Sequence, residues 1–305
     1  MAEEVAMFGL NIDPSVARRE LAFELAGIAD QSGLDVVAIQ DHPYHRQHLD
    51  TWTLLTYLAA STSRVHLMPN VTNLPLRTPA MVAKSAATLA ILSDGRLELG
   101  VGAGGMWDAI HAYGGPRRAP SESVDAFEEA VAVIRQLWDP DGSGRLDGEH
   151  YHLDGARPGP LPDAPIPLWF GSYGPRMLAL TGRHADGWSP SMPYAPPEAI
   201  PDMQRRIDAA AEEAGRDPGD IRRNYNLMGR IDPGAGQEDE ERIVGGTKHW
   251  IETLVRFAEE LRLDTFVFWP LGGDEADQAR SFAHDVVPRV RERLGEATTQ
   301  TGGYL

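Results

Sequence analysis

The α/β fold class that this sequence predicts is a (β/α)8 TIM barrel, and three observations predict it. About eight short apolar runs alternate with amphipathic helical stretches along the chain. The length, 305 residues, is ordinary for one such barrel. Glycine and proline punctuate the joints where strand should turn into helix and helix into strand. A doubly wound open sheet shares the alternation and is the competing architecture.

Val5–Leu10 reads as the first strand. Asp13-Pro14 then supplies a helix cap and a first-turn proline, Leu21, Leu25 and Ile28 follow at helical spacing, and Gly33 suits the stop. Val36–Gln40 is the second strand, Trp52–Ala60 a helix and Val65–Asn70 the third strand. Thr78-Pro79 opens the next helix, Val82, Ala86 and Leu89 line one of its faces, and Gly95 ends it. Leu97–Val101 is a strand that runs into the glycine-rich 102–105. Val124, Phe127, Val131, Ile134 and Leu137 mark another helix. Later strands are expected at Pro167–Gly171, Gly187–Pro190, Asn224–Met228 and Thr265–Trp269. Helices through Met177–Leu180, Met203–Ala214 and Trp250–Leu261 fall between them.

Residues 1–297 are expected to form a single domain. Two stretches interrupt its rhythm. Residues 139–167, rich in proline and glycine, read as an inserted loop or hairpin, and Asp232–Gly246 as an acidic, mobile loop. A disordered tail is expected over 298–305.

Composition removes several functions. Hydrophobic residues are 42% and charged residues 24%, which argues against global disorder. Lys+Arg total 28 against 45 Asp+Glu, a net charge of −17 that would repel a nucleic-acid backbone. There is no cysteine, so disulfides, thiolate metal sites and cysteine nucleophiles are excluded. The acidic Met1-Ala2-Glu3-Glu4 start resembles no signal peptide and no apolar run is long enough for a bilayer, so a cytoplasmic protein without membrane contact is expected.

Barrel enzymes carry their chemistry at the C-terminal ends of strands. That rule selects Asn11, Gln40-Asp41-His42, Asn70-Val71-Thr72, Gly102–Gly105 with Trp107, Gly171–Gly174 and Trp269. Asp41-His42 is the sharpest pair, because imidazole can move a proton near neutral pH; the structural alternative is a capping Asp beside a packed His. His42, His45 and His48 could suggest a metal, but lack a carboxylate partner and read as a loop. Glu149-His150-Tyr151-His152 reads as a hairpin rather than a metal site. No metal is expected. Gly171-Ser172-Tyr173-Gly174-Pro175-Arg176 is a strand, a turn and a helix start, whose free N–H groups, with Ser172 and Arg176, could hold a phosphate; the alternative is an ordinary tight turn. Of the tryptophans, Trp52 and Trp188 read as core, whereas Trp107, Met192 and Tyr194 suggest an apolar substrate at the mouth.

The run from Pro69 to Pro79, followed by Ala86-Ala87-Thr88-Leu89, Ser93-Asp94-Gly95-Arg96 and Leu99-Gly100-Val101-Gly102-Ala103-Gly104, resembles the luciferase-like monooxygenase family. So do Pro165–Gly171, Gly174-Pro175, Ala185–Trp188 and Thr265–Pro270, so the resemblance covers most of the chain. It implies a TIM barrel that binds coenzyme F420, a 5-deazaflavin, or else FMN. Asp41 and His42 match the catalytic pair of deazaflavin-dependent members. Asn70, Val71 and Thr72 match the segment behind the ring, where a non-prolyl cis peptide is often held. Gly104, Gly171, Ser172, Tyr173, Gly174 and Arg176 match the remaining cofactor contacts, and Asn11, Trp107 and Trp269 fall to the substrate pocket. Gly104-Gly105-Met106-Trp107 lacks the Glu that sugar-phosphate dehydrogenases of the group carry there, which argues against a sugar phosphate.

The resemblance thus implies hydride transfer between F420 and a small organic substrate. The alternatives are an FMN monooxygenase fed by a flavin reductase, and a flavin-binding protein without turnover. A zinc hydrolase is disfavoured, since no His-x-His follows the first strand. The resemblance also implies a homodimer, joined through the outer faces of the early helices.

Overall fold

The computed structural model describes residues 6–234, 236–239 and 241–301, with side chains for 6–234 and 241–295. In chain order the strands are β1 (Met7–Ile12), β2 (Val36–Ile39), β3 (His66–Pro69), β4 (Thr72–Asn73), β5 (Leu99–Gly102), β6 (Arg145–Asp147), β7 (His152–Asp154), β8 (Leu168–Phe170), β9 (Gly187–Trp188), β10 (Arg222–Ile231), β11 (Gly236–Asp239), β12 (Arg242–Gly245) and β13 (Thr265–Pro270). The helices are α1 (Arg19–Ser32), α2 (Thr51–Ser61), α3 (Pro79–Leu92), α4 (Trp107–Ala112), α5 (Pro120–Trp138), α6 (Pro175–His184), α7 (Ile200–Glu213), α8 (Thr247–Leu261), α9 (Glu275–Ser281) and α10 (Val287–Thr301).

Nine strands follow one parallel path, β3-β2-β1-β13-β10-β9-β8-β5-β4. A bridge from Leu67 to Leu97 brings β3 back to the approach to β5, which closes the ring and excludes the open sheet. β3 and β4 share one barrel position: β3 pairs with β2, β4 pairs with β5, and a cis peptide joins Asn70 to Val71 between them.

The strands are short and apolar because both of their faces are buried. Outward-facing residues such as Phe8, Leu10, Val37, Ile39 and Phe268 pack under the helices. A second cluster, Val36, Ala38, Met68, Trp169 and Val267, plugs the barrel interior. Trp169 donates from Nε1 to buried Glu98 at 2.8 Å, and the other Glu98 oxygen meets His66 Nδ1 at 2.9 Å. That plug fills the floor and leaves the C-terminal rim for binding.

The helix ends follow local chemistry. Gly33 closes α1 at φ 76°, where a side chain is costly, and returns its N–H to Ala29. Asp50 caps α2 by accepting from the Thr53 N–H at 2.9 Å. Arg96 ties the α2–β3 turn to the end of α3, donating to Ser93, Thr62, Val65 and Ala59.

Two expectations change. Instead of a mobile loop, 232–246 contains the antiparallel β11–β12 hairpin, and β12 continues the sheet beside the long β10; residues 235 and 240 lie outside the described ones. The tail is not wholly irregular, since α10 reaches Thr301; residues 302–305, and Val5 of the expected first strand, lie outside the described residues. Within 139–167 the chain forms the antiparallel β6–β7 hairpin. Glu129 of α5 pins it by accepting the N–H groups of Glu149, His150 and Tyr151. The histidines there are thus part of a hairpin, and His152 pairs with Asp147 on the exposed face. Among the described residues no helix is long and apolar enough to cross a membrane, and no three His, Asp or Glu side chains are grouped to hold a metal.

Candidate active site

The C-terminal strand ends converge on a cavity with two lobes. One lobe, about 380 Å³, is bounded by Thr72, Gly102–Gly105, Gly171–Gly174 and Met177. The other, about 690 Å³, is bounded by Asn11, Gln40, Met106, Met228, Trp269 and the hairpin residues Glu241 and Arg242. His42, Asn70, Val71, Tyr173, Ser191 and Tyr194 line both lobes, so the two meet at these residues.

Val71 forms an apolar wall at this junction, and three glycines make room for it. A Cβ on Gly102 would lie 2.7 Å from Val71 Cγ2, one on Gly171 3.0 Å from the same atom, and one on Gly100 3.1 Å from Val71 Cγ1. Gly102 and Gly171 therefore serve close packing. Gly104 differs: its φ is 90°, and a Cβ there would also meet Pro75 at 2.7 Å. Gly102→Ala is expected to push Val71 into the cavity, costing about 1–3 kcal/mol of stability by overpacking and weakening ligand binding. Urea unfolding and a ligand titration on one variant measure both effects.

Asn70 is held from beneath. Its Nδ2 donates to Asn226 Oδ1 at 2.7 Å, and its Oδ1 accepts from Ser189 Oγ at 2.9 Å. Asn224 donates to both Ser189 and Asn226, and Asn226 donates to Ser189 and the Pro190 carbonyl. This network was missed from sequence, although Asn224 and Asn226 sit two apart on one strand and therefore share a face.

Asp41 and His42 are neighbours in sequence but not partners. Asp41 is 2% exposed and its carboxylate accepts from Arg77 Nε at 2.8 Å, Arg77 Nη2 at 2.9 Å and the Asn73 N–H at 3.0 Å. Arg77 also reaches Asp50 at 2.5 Å; burial opposes its charge, but the bonds to Asp41 and then to Asp50 outweigh that and hold its guanidinium charged. Asp41 thus anchors β4 to the rim, and it reaches the wall of the smaller lobe with its carboxylate already paired to Arg77 and the Asn73 N–H. Both partners were in view, Asp41 as a strand-end acid and Arg77 within the Pro69–Pro79 run, but nothing local links residues 36 positions apart.

His42 instead places Nδ1 2.7 Å from the Tyr44 hydroxyl. Burial, then the neighbouring His45, keeps its pKa below the usual imidazole value, with Asp41 opposing and His48 adding a little. Burial also leads the lowering at His48 and His184. These three are neutral in the folded chain where exposed histidine takes a proton. The unfolded chain then binds more protons, so stability falls as pH drops from about 6.5 through the depressed folded values. Thermal melts should accordingly show a lower Tm at about pH 5.5 than at about pH 7.5, less so in a His48→Gln variant. A Tm flat across this window would contradict the burial argument.

Around the smaller lobe, Gly174 precedes α6 with Pro175 as its first residue, so the first-turn N–H groups of Arg176 and Met177 face no earlier carbonyl. Thr72 Oγ1 is buried without a hydrogen-bond partner among the described residues. Ser172 is buried with its hydroxyl on Thr181 at 2.8 Å, and Tyr173 accepts the Ser191 N–H at 3.1 Å. Arg176 is the exception among the expected phosphate ligands. Its guanidinium turns to Asp125 at 2.5 Å and the Ser121 carbonyl at 3.3 Å, and it lines neither lobe. The helix turn that offers its N–H directs its side chain outward. Trp107 likewise lies outside both linings, with Met106 in its place. Trp52 and Trp188 are core, Met192 is buried in the core, and Tyr194 is 74% exposed at the rim.

The profile of the luciferase-like monooxygenases matches residues 10–266. Over 234 residues the chain is 31% identical to an F420-dependent glucose-6-phosphate dehydrogenase of Kineococcus radiotolerans, covering 73% of this chain and 66% of that protein. It is 38% identical over 180 residues to a phthiodiolone/phenolphthiodiolone dimycocerosates ketoreductase of Mycobacterium tuberculosis, covering 55% of this chain and 44% of that one. The chain thus spans less than two thirds of either relative. An F420-dependent secondary alcohol dehydrogenase, solved with an F420-acetone adduct, superimposes with a TM-score of 0.84 at 23% identity, over 94% of this chain and 99% of that one. That likeness is one of fold.

Proposed function

As a chain that belongs to the luciferase-like monooxygenase family, this protein is, we propose, a coenzyme F420-dependent oxidoreductase that moves hydride to or from a small organic substrate. The observation that carries this reading is His42 at the meeting of the two lobes, with Nδ1 engaged and Nε2 without a partner among the described residues. The activities of the F420-dependent relatives support it.

The residues fit a deazaflavin. The Val71 wall, cleared by Gly102 and Gly171, offers an apolar backing to a planar ring. The buried Thr72 hydroxyl has no partner among the described residues, and a polar ligand would provide one. Gly104, Gly171–Gly174 and the first turn of α6 would hold the hydroxylated and phosphorylated end. Bound F420 supplies a two-electron hydride carrier. Asn70, fixed by Ser189 and Asn226, orients the ring edge. His42 holds or releases a proton at Nε2 beside the reacting centre, and the larger lobe takes the substrate against Asn11 and Trp269.

Titration of the purified protein with F420 and, separately, with FMN tests this. Tight binding of F420 alone supports the reading. Tight binding of FMN alone would replace it with a monooxygenase that needs dioxygen and a partner reductase. Binding of neither would overturn it.

A second copy of the chain is the proposed protein partner. α2 carries no charged residue and α3 only Lys84, while Tyr57, Met81, Ile91 and Leu92 lie exposed on these helices. On a chain of net charge −17, a charge-poor apolar face suits a self-complementary contact.

A further inference from the structure

We infer that Asn11 is a specificity-determining residue of the larger lobe. With Gln40 beside it, it selects a flat organic substrate that carries, besides its reacting carbon, an uncharged group able both to donate and to accept a hydrogen bond: a carboxamide or a hydroxyl. The inference deepens the proposed function and rests on its placing of the substrate in the larger lobe.

Side chains alternate along a strand, so residues two apart share a face. Val36, Ala38 and Val267 point into the barrel. Gln40 lies two past Ala38, and Trp269 two past Val267. Gly9 is in register with both Val36 and Val267, so Asn11, two past Gly9, faces inward as well. Met228 on β10 is in register with Trp269. Four neighbouring strands, β2, β1, β13 and β10, thus bring Gln40, Asn11, Trp269 and Met228 to one arc above the plug, and all four line the larger lobe. The arc is divided. Two primary amides stand at the ends of β2 and β1, and an indole and a thioether on β13 and β10.

Asn11 is the amide of the mouth that the fold leaves unused. It is 5% exposed and its side chain makes no hydrogen bond among the described residues, so the exposure it keeps opens into the lobe. The nearby amides of Asn70, Asn224 and Asn226 are bonded to one another or to Ser189. A buried polar group without a partner costs stability, and a ligand that supplies the bond recovers it. The Asn11 amide carries two N–H donors and two acceptor lone pairs. The Gln40 side chain, also without a bond among the described residues, doubles that set. Such a set fits a neutral group that has both a hydrogen and a lone pair to offer. A carboxylate has no hydrogen, an ammonium has no lone pair, and either would bring a charge to a part of the wall that holds none. Among the described residues, the Asp, Glu, Lys or Arg side chains of this lining are Glu241 and Arg242, both exposed on the hairpin that joins the sheet through β10. On the other half of the arc, Trp269 and Met228 offer a flat body a broad apolar surface with a polarizable sulfur.

The test is a calorimetric titration of the full-length protein, without cofactor, against three aryl ketones of one shape: para-acetylbenzamide, para-acetylbenzoate and para-methylacetophenone. The benzamide should bind about tenfold tighter than either of the others. In Asn11→Leu, a change of similar size, the advantage of benzamide over the methyl compound should fall about tenfold, while the methyl compound keeps its Kd within about threefold. This variant should melt no lower than the wild type, because no bond within the protein is lost; an amide with a structural role would give a lower Tm and an unchanged preference. Gln40→Leu, at a more exposed position, should reduce the same advantage and serves if Asn11→Leu does not fold. Equal affinity for the three ketones, tighter binding of the benzoate, binding of none, or a preference untouched by the substitutions would overturn the inference. Binding is read without cofactor and without turnover, so failure of the F420 titration and failure of this inference are separate outcomes.

Discussion

His42→Asn is expected to lower turnover by about 10²–10⁴-fold while leaving the cofactor Kd within about threefold. The size follows from position. His42 lines both lobes, and its free nitrogen has no partner among the described residues, so the loss falls on the reacting step. The cofactor contacts proposed at Thr72, Gly171 and the first turn of α6 lie elsewhere along the smaller lobe and stay in place. Steady-state kinetics with the substrate in hand, beside a binding titration, separates the two quantities. Equal losses in turnover and affinity would make His42 a binding residue, and unchanged turnover would remove it from the chemistry.

Asp41→Ala is expected to cost stability on the scale of the second large effect, about 3 kcal/mol, because it leaves Arg77 charged and mostly buried without its bidentate partner. The figure is at the low end of the range for a broken buried pair, since Arg77 keeps Asp50 at 2.5 Å and retains 22% side-chain exposure. Arg77→Ala should be as severe from the other side. It strands a carboxylate that is 1% exposed with a backbone N–H as its remaining partner among the described residues. Urea midpoints for both single variants and for the double variant close a thermodynamic cycle, in which strong coupling is expected. A stable Asp41→Ala with an altered pH–rate profile would show the opposite: that Asp41 acts on His42 rather than on Arg77.

These two residues show where reading from sequence stops. The strand-end rule reached Asp41 and His42 together, and adjacency invited a joint role. Successive residues leaving a strand point in different directions, and here both line the smaller lobe, but Asp41 pairs with Arg77 while His42 meets Tyr44 and also lines the larger lobe. Arg176 is the same lesson at a helix start, where backbone and side chain diverge, so one residue offers its N–H to the rim and its guanidinium to Asp125. The hairpin over 236–245 was hidden because its pairing with β10 is long-range, and an acidic, glycine-bearing stretch has no pattern of its own to announce a strand.

Alternation of apolar runs with helical periodicity, glycine and proline at the joints, and the absence of cysteine were legible in the residues, because each is a local property of the backbone or of composition. They sufficed for the barrel and for the rim positions Asn11, His42, Asn70, Gly171 and Trp269. Closure of the ring through Leu67 and Leu97, the clearing of three glycines around Val71, the network beneath Asn70 and the bond from Tyr44 to His42 depend on how distant segments meet. Such contacts are set by packing many residues at once, and no single stretch of the chain encodes them.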